Sequence, residues 1–306
     1  MSPGPNLDPR TNLKKELERL GRDSLAVAQR SLRAEGDALH DGIHDARKRF
    51  KRLRGLLRLV RAADRKRCGA ENDRLRTMAQ SLGVARDAAA RDETLDRLLA
   101  RFPEPHTLAP LTRIRDRLAE RRDRITGAET DLSQKIETVI AGCEASAASI
   151  SALDIPRGRK QAARLLAGGF ARNYAKAREA LAAATEDGGE EPWHTLRKRT
   201  RDQWSHSIFL SGAWPSAFYA RVTVLKSLID LLGDDRDLIV LAHMIADDPD
   251  EVGEAADLAV LGSCLKTRSA ELHAAIRKTA AGLLQEEPDA VERRIRHLWL
   301  LAADGK

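Results

Sequence analysis

The sequence predicts an all-α fold, helical nearly from end to end. Gly and Pro are sparse, at 20 and 11 of 306 residues, and no run alternates β-branched with polar residues as a strand would. Ala, Leu, Arg and Asp are abundant, and apolar residues recur at helical spacing along most of the chain. Aromatic residues make up only 4%, so packing must rest on Leu, Ala, Ile and Val.

The polar start through Arg10 reads as a loose, flexible tail. Helical periodicity begins near Thr11, taken as an N-cap, and runs to about Arg33. A second helix is expected at about 39–62, and a third ends at Leu82–Gly83, where Gly serves as a stop. A fourth covers 85–101, before the Pro103–Pro105 break, and helix resumes over about 107–148 with an interruption near Gly127. Ser149–Gly158, containing Pro156, is the expected boundary, so the folded region 11–303 divides into 11–150 and 157–303. Helices follow at about 159–184, 191–211, 216–232, 235–247, 254–284 and 289–302. Their breaks fall at Gly188–Gly189, Pro215, Gly233, Pro249 and Pro288.

An internal repeat with an offset of 150 residues organises the chain. His44, Arg47, Lys48 and Arg49 recur as His194, Arg197, Lys198 and Arg199, and Lys51 is answered by Arg201. In the same register Leu75, Leu82, Gly83, Arg86 and Asp87 recur as Leu225, Leu232, Gly233, Arg236 and Asp237. Two copies of one helical unit explain this agreement. In that reading Gly83 and Gly233 end helices, and the Arg–Asp pairs support the helix starts that follow.

Charge is distributed unevenly. The net charge is only +7, yet residues 44–61 hold eight Lys or Arg against one acid, Asp45. Placed on a helix, Ala46, Phe50, Leu53, Leu57 and Val60 form an apolar stripe. His44, Arg47, Lys48, Lys51, Arg54 and Arg58 fall on the opposite side, with Gly55 among them adding no bulk. Arg49 points to the apolar flank, and Arg52 lies at the border. A stripe with almost no interleaved acid points to an anionic partner rather than to solubility alone. In the second copy Trp204 and Ile208 stand where Arg54 and Arg58 stood, so the first copy is expected to carry more anion contacts. The acidic stretch 234–257 reads as a solvated face, with a partner surface as the alternative.

Cys68, Cys143 and Cys264 lie far apart in no paired spacing and read as reduced residues of a cytoplasmic protein. No signal peptide is visible at the N-terminus and no apolar stretch is long enough to span a membrane. A metal-dependent phosphohydrolase is one rival, since His40, Asp41, His44 and Asp45 lie one turn apart. The second copy, however, reads His194–Thr195, and the surrounding arginines oppose a divalent cation. His206, His243 and His297 read as lone helix residues. A nucleic-acid or other polyanion-binding module is the second rival, weakened by the scarcity of aromatics for base stacking. No phosphate-binding loop, nucleophile elbow or coherent acid–base pair appears, and no cofactor is called for.

The two basic segments, HDARKRFKRLRGLLRLV and WHTLRKRTRDQWSHSIFL, resemble the His-x-x-Arg helices of the CHAD family, named for a conserved-histidine α-helical domain. Each is followed by a similar Leu-Gly turn, LGVARD and LGDDRD, and LLQEEPDAVERRIRHLW resembles the family's final helix pair. The resemblance covers about residues 11–303. It implies two pseudo-symmetric four-helix bundles around a basic central groove or pore that binds inorganic polyphosphate, a non-catalytic role. A scaffold docking on another protein or on a polyphosphate or storage granule is a third class of function beside it. The matching positions are His44, Arg47, Lys51 and Arg54, then His194, Arg197 and Arg201; Trp204 departs from the family's basic residue. Lys48, Arg58 and Lys198 join them from the stripe, and Arg22 and Arg172, again 150 apart, from the preceding helices.

Overall fold

A computed structural model describes residues 5–82, 87–125, 132–186 and 188–305; within these spans nothing is said of the side chains at 37, 87–92 and 121–125. Among the described residues all regular structure is helical. The helices are α1 (Leu13–Leu32), α2 (Asp37–Leu59), α3 (Arg65–Ser81), α4 (Asp87–Arg101), α5 (Pro105–Ile125), α6 (Leu132–Ser151), α7 (Arg159–Glu186), α8 (Glu190–Leu210), α9 (Pro215–Asp247), α10 (Pro249–Val252), α11 (Ala255–Leu283) and α12 (Pro288–Ala303). None is long and apolar enough to cross a membrane.

The breaks at Gly188–Gly189, Pro215, Pro249 and Pro288 fall where the sequence places them, while three local expectations change. The N-cap of α1 is Asn12, not Thr11: its Oδ1 accepts from Lys14 N at 3.0 Å and Lys15 N at 3.4 Å. The described part of the expected tail is tied down from Leu7 onward. Leu7 is fully buried and its N–H donates to the Phe209 carbonyl, while Asp8 N–H donates to Glu16. Gly233 does not end a helix, because α9 runs straight through it. Leu225, Leu228, Leu232, Leu238 and Leu241 keep one buried face on both sides of it, and Asp235, buried, sits 2.9 Å from His273 on α11. Packing along a continuous face outweighs glycine's weak preference to stop. Gly83, Arg86 and Gly127 lie outside the described residues, and so does the Asp87 side chain.

The helices sort into packed groups. In the first half α1, α2, α3 and α6 pack together, and in the second α7 packs on α8 and α12, and α8 on α9. The α4–α5 hairpin instead lies against α9 and α11. Its apolar face, with Leu95, Leu98, Leu111 and Ile114, is fully buried. Its edges carry arginines that meet acids of the second half. Arg97 donates to Asp237 at 3.0 Å, Arg113 to both Asp257 oxygens at 2.8 and 2.6 Å, Arg117 to Glu254 at 3.1 Å, and Arg101 pairs with Glu271. The acidic stretch is therefore in large part a docking face for this hairpin, which corrects the solvated-face expectation.

The apolar stripe read on α2 is buried in full: Ala46, Phe50, Leu53, Leu57 and Val60. Gly55 behaves otherwise than expected. It is buried against α8, where an added Cβ would lie 2.8 Å from the Cβ of Ser205. Ser205 is its own repeat mate, so α2 and α8 cross at equivalent positions. They run past one another in opposite senses, since Arg58 meets Asp202, Gly55 meets Ser205 and His206, and Arg52 lies over the Trp204 ring. A second close approach sets α7 against the end of α2, where a Cβ on Gly169 would come within 1.9 Å of the Leu59 carbonyl oxygen.

Backbone cannot yield as a flexible side chain does, so Gly169→Ala should force α7 and α2 apart at a cost of about 1–3 kcal/mol. Gly262→Ala on α11, where a Cβ would meet nothing within 4 Å, should instead stabilise the helix by about 0.5–1 kcal/mol. Thermal melts of the two variants should move in opposite directions, and equal shifts would remove the close-approach argument.

Candidate functional site

Where α2, α3, α7 and α8 converge, next to the Gly55–Ser205 crossing, the surface opens into a cavity of about 370 Å³. Six cations line it: Arg58 from α2, Arg61 from the turn after it, Arg65 at the start of α3, Arg172 and Lys176 from α7, and Arg199 from α8. The one acid lining it is Asp202. Arg172 and Lys176 are one turn apart on α7 and project side by side. Gly169, one turn before Asn173, also lines the cavity, at the point where α7 packs on the end of α2.

The ion pairing sets this cavity apart. Asp202 is buried and takes a 2.6 Å bond from Arg58 Nη2, while Arg58 Nη1 donates to Asn72 Oδ1 at 2.9 Å. Arg58 is thus held by two fixed acceptors. The other five cations have no ion-pair partner among the described residues. Several arginines elsewhere are answered by acids, Arg19 by Glu16, Arg49 by Asp45, Arg74 by Glu71 and Arg178 by Glu287. Like charges gathered without counter-charge repel one another across a low-dielectric wall, and an anion relieves that repulsion.

The structure divides the residues singled out in the sequence. Arg58 and Arg172 line the cavity, and Arg54 sits beside it, donating from Nε to the same Asn72 oxygen at 3.2 Å. Burial, with Arg58 adding, pulls the Arg54 guanidinium down to about 10, still cationic at neutral pH. Arg47 is used structurally, its Nη1 donating to the Leu82 carbonyl at 2.7 Å and so capping the end of α3. Lys51 and His44 are half-buried and Lys48 exposed, farther back along α2. Arg22, mate of Arg172, is exposed on α1.

On α8, Lys198 lies 3.6 Å from Glu191, Arg197 reaches toward Gly233, and Arg201 is half-buried. Burial, then Lys198 and Arg236, push the His194 imidazole below its ordinary range, so it is neutral at pH 7. His44 and His194 are not brought together. Each stands eleven residues before the crossing, about 16 Å along its own helix at 1.5 Å per residue, and the opposed helices carry them to opposite sides.

Arg61, Arg65, Lys176, Arg199, Asp202 and His206 escaped the sequence reading as site residues. The signal for two of them was present, because Arg61 and Arg65 continue the Arg54–Arg58 spacing past the helix end. The departure at Trp204 now has a physical account: its ring receives the Arg52 guanidinium at 5.7 Å from the centroid. Among the described residues no group of three or more His, Cys, Asp and Glu is placed to hold a metal ion. Asp45, part of the metal reading, is bound by Arg49 and Ser31. The three cysteines are free and buried, and burial pushes Cys68 up to about 11 and Cys143 to about 12, far from thiolate reactivity.

The fold is all-helical among the described residues and carries a cavity lined by six cations, and comparison with known proteins identifies its family. The CHAD domain family model matches residues 19–246, and the chain belongs to the CHAD family. It is similar in fold to the crystal structure of the CHAD domain from the plant Ricinus communis, at 18% identity and a TM-score of 0.53, covering 95% of this chain and 94% of that one. No curated protein matches it.

His206, in the cavity wall, yields a prediction. Its Nε2 lies 3.0 Å from the Gly55 carbonyl, which can only accept, so Nε2 carries the hydrogen. Burial drives the imidazole from 6.5 down to about 4. Between those values the unfolded chain takes up the proton and the folded one does not. Stability should be full above pH 6.5 and fall by about 3 kcal/mol as pH drops toward 4. His206→Gln, which retains a donor for Gly55, should lose that part of the acid sensitivity in urea titrations. An unchanged pH profile would mean that His206 is not neutral in the fold.

Proposed function

We propose that the chain binds inorganic polyphosphate without catalysing its hydrolysis, anchoring it in the cavity between α2, α3, α7 and α8. One observation carries the reading: six cations line one cavity, and five of them lack an ion-pair partner among the described residues. Polyphosphate offers many equivalent acceptor oxygens and no base edges. Arginine forks grip such oxygens in pairs, and Lys176 adds a mobile point charge. Arg54, Lys51, Lys48 and His44 on α2, and Arg201, Lys198, Arg197 and His194 on α8, are then positioned for chains that extend past the anchor. Membership of the CHAD family supports the same reading. On this proposal the protein is cytoplasmic and acts at polyphosphate or storage granules.

The test removes exposed cations that hold nothing else in place. Arg61→Ala, Arg65→Ala and Lys176→Ala together should leave the helical circular dichroism unchanged. Binding of long-chain polyphosphate should fall tenfold or more, since each charge-assisted contact contributes about 1.5–3 kcal/mol. Counterion release gives the unaltered protein a slope of log affinity against log salt of about −0.7 per neutralised phosphate, or near −4 for six contacts. Single-stranded RNA at equal phosphate concentration should compete poorly. Undiminished binding by the folded triple variant overturns the proposal, and RNA that wins moves the reading to nucleic acid.

A further inference from the structure

The anion site is not duplicated, although the sequence is. The repeat offset of 150 assigns a mate to each cation of the cavity. Arg58, Arg61 and Arg65 correspond to Ile208, Ser211 and Pro215, and Lys176 corresponds to Ala26. Only Arg172 and Arg199 have basic mates, Arg22 and Arg49, and Arg49 is bound to Asp45 at 2.8 Å. Arg52, the mate of Asp202, lies over Trp204 instead of facing an anion. At the positions equivalent to the cavity across the α2–α8 crossing, a phosphate chain would meet four neutral residues, together with Arg22, with Arg49 already paired to Asp45 and with Arg52 lying over Trp204. The grip is one-sided.

From this asymmetry we infer that the cavity binds the end of a linear phosphate chain, taking a terminal triphosphate segment rather than an internal stretch. The inference rests on the polyphosphate reading and narrows it. Six cations less Asp202 leave a net charge of +5 in the cavity. Along a phosphate chain each internal unit carries about one negative charge, whereas a terminal unit carries about −1.5 to −2 at neutral pH. A terminal three-unit segment of a long chain, with one end and two internal units, therefore carries about −3.5 to −4 and leaves about one cation unanswered. Free tripolyphosphate, with two ends, carries about −4 to −5 and nearly balances the cavity. An internal stretch of the same length carries about −3 and leaves two cations unanswered. Size is compatible, since the opening of about 370 Å³ has room for a few phosphate units. Arg58, fixed between Asp202 and Asn72, presents its remaining amino hydrogens without further ordering.

Competition against fluorescently labelled long-chain polyphosphate at fixed salt tests this. The competitors are linear tripolyphosphate, cyclic hexametaphosphate and ATP. The cyclic compound carries about −6 but has no end, so charge alone would make it the stronger competitor. Tripolyphosphate should displace the label at least tenfold better than the cyclic compound, and the Arg61→Ala/Arg65→Ala/Lys176→Ala variant should lose that advantage. ATP, whose triphosphate has one free end, should fall between them. A cyclic competitor as good as the linear one overturns the inference. So does long-chain binding that neither short phosphate disturbs, which leaves polyphosphate binding standing without an end site. ATP displacing the label better than tripolyphosphate reassigns the cavity to nucleotides. If long-chain polyphosphate itself fails to bind, the functional reading falls first and the end site with it.

Discussion

Two helices pass so closely at Gly55 and Ser205 that one of the two residues must lack a side chain. Most of what distinguishes this protein depends on that contact. It brings the two copies of the repeat together at equivalent positions, buries Asp202 and His206 between them, and directs Arg58 across the junction onto Asp202. The Leu59 carbonyl meeting Gly169 extends the same close packing one turn further, and the cavity opens where it ends. A bulkier residue at either glycine would separate the helices and dissolve the cavity walls before it altered any charge.

Charge is used for two purposes in different regions. With 53 basic and 46 acidic residues the chain has acids enough for most of its cations, and away from the cavity it pairs a number of them. Acids of α9 and α11, and Glu254 just before α11, meet the arginines of α4 and α5, so part of the acidic stretch is taken up in holding the hairpin. At the cavity that supply stops. The single carboxylate there orients Arg58 and leaves its neighbours for something from outside.

The helical fold and most helix limits were legible because proline, glycine pairs and apolar periodicity act locally. Gly233 misled because a glycine's preference is weak beside a continuous buried face. Asn12 was missed as a cap for an equally local reason: two adjacent residues can both cap, and only backbone geometry selects between them. The site was half legible. Helix periodicity identified a basic stripe and found Arg54 and Arg58, but it does not say which helix a face will meet. Gly55 lay on the face read as open and proved to be a junction. Arg47 had the chemistry of an anion contact and was used on a carbonyl. Arg199 stood in the repeat and was passed over, because its mate, Arg49, pointed toward the apolar flank of its own helix. The acidic stretch was misjudged for the same reason: its arginine partners lie 137 to 144 residues away in sequence, beyond the reach of any local pattern.

That separation also bears on how the protein is made. The α4–α5 hairpin leaves the ribosome well before the helices it will lie against have been synthesised. At about 5–20 residues per second the interval is on the order of ten seconds. During it Leu98, Leu111 and Ile114 have no permanent cover, and a row of arginines stands beside them. The nascent chain is therefore obliged to carry an unfinished amphipathic surface through much of its own translation, a natural point of engagement for chaperones.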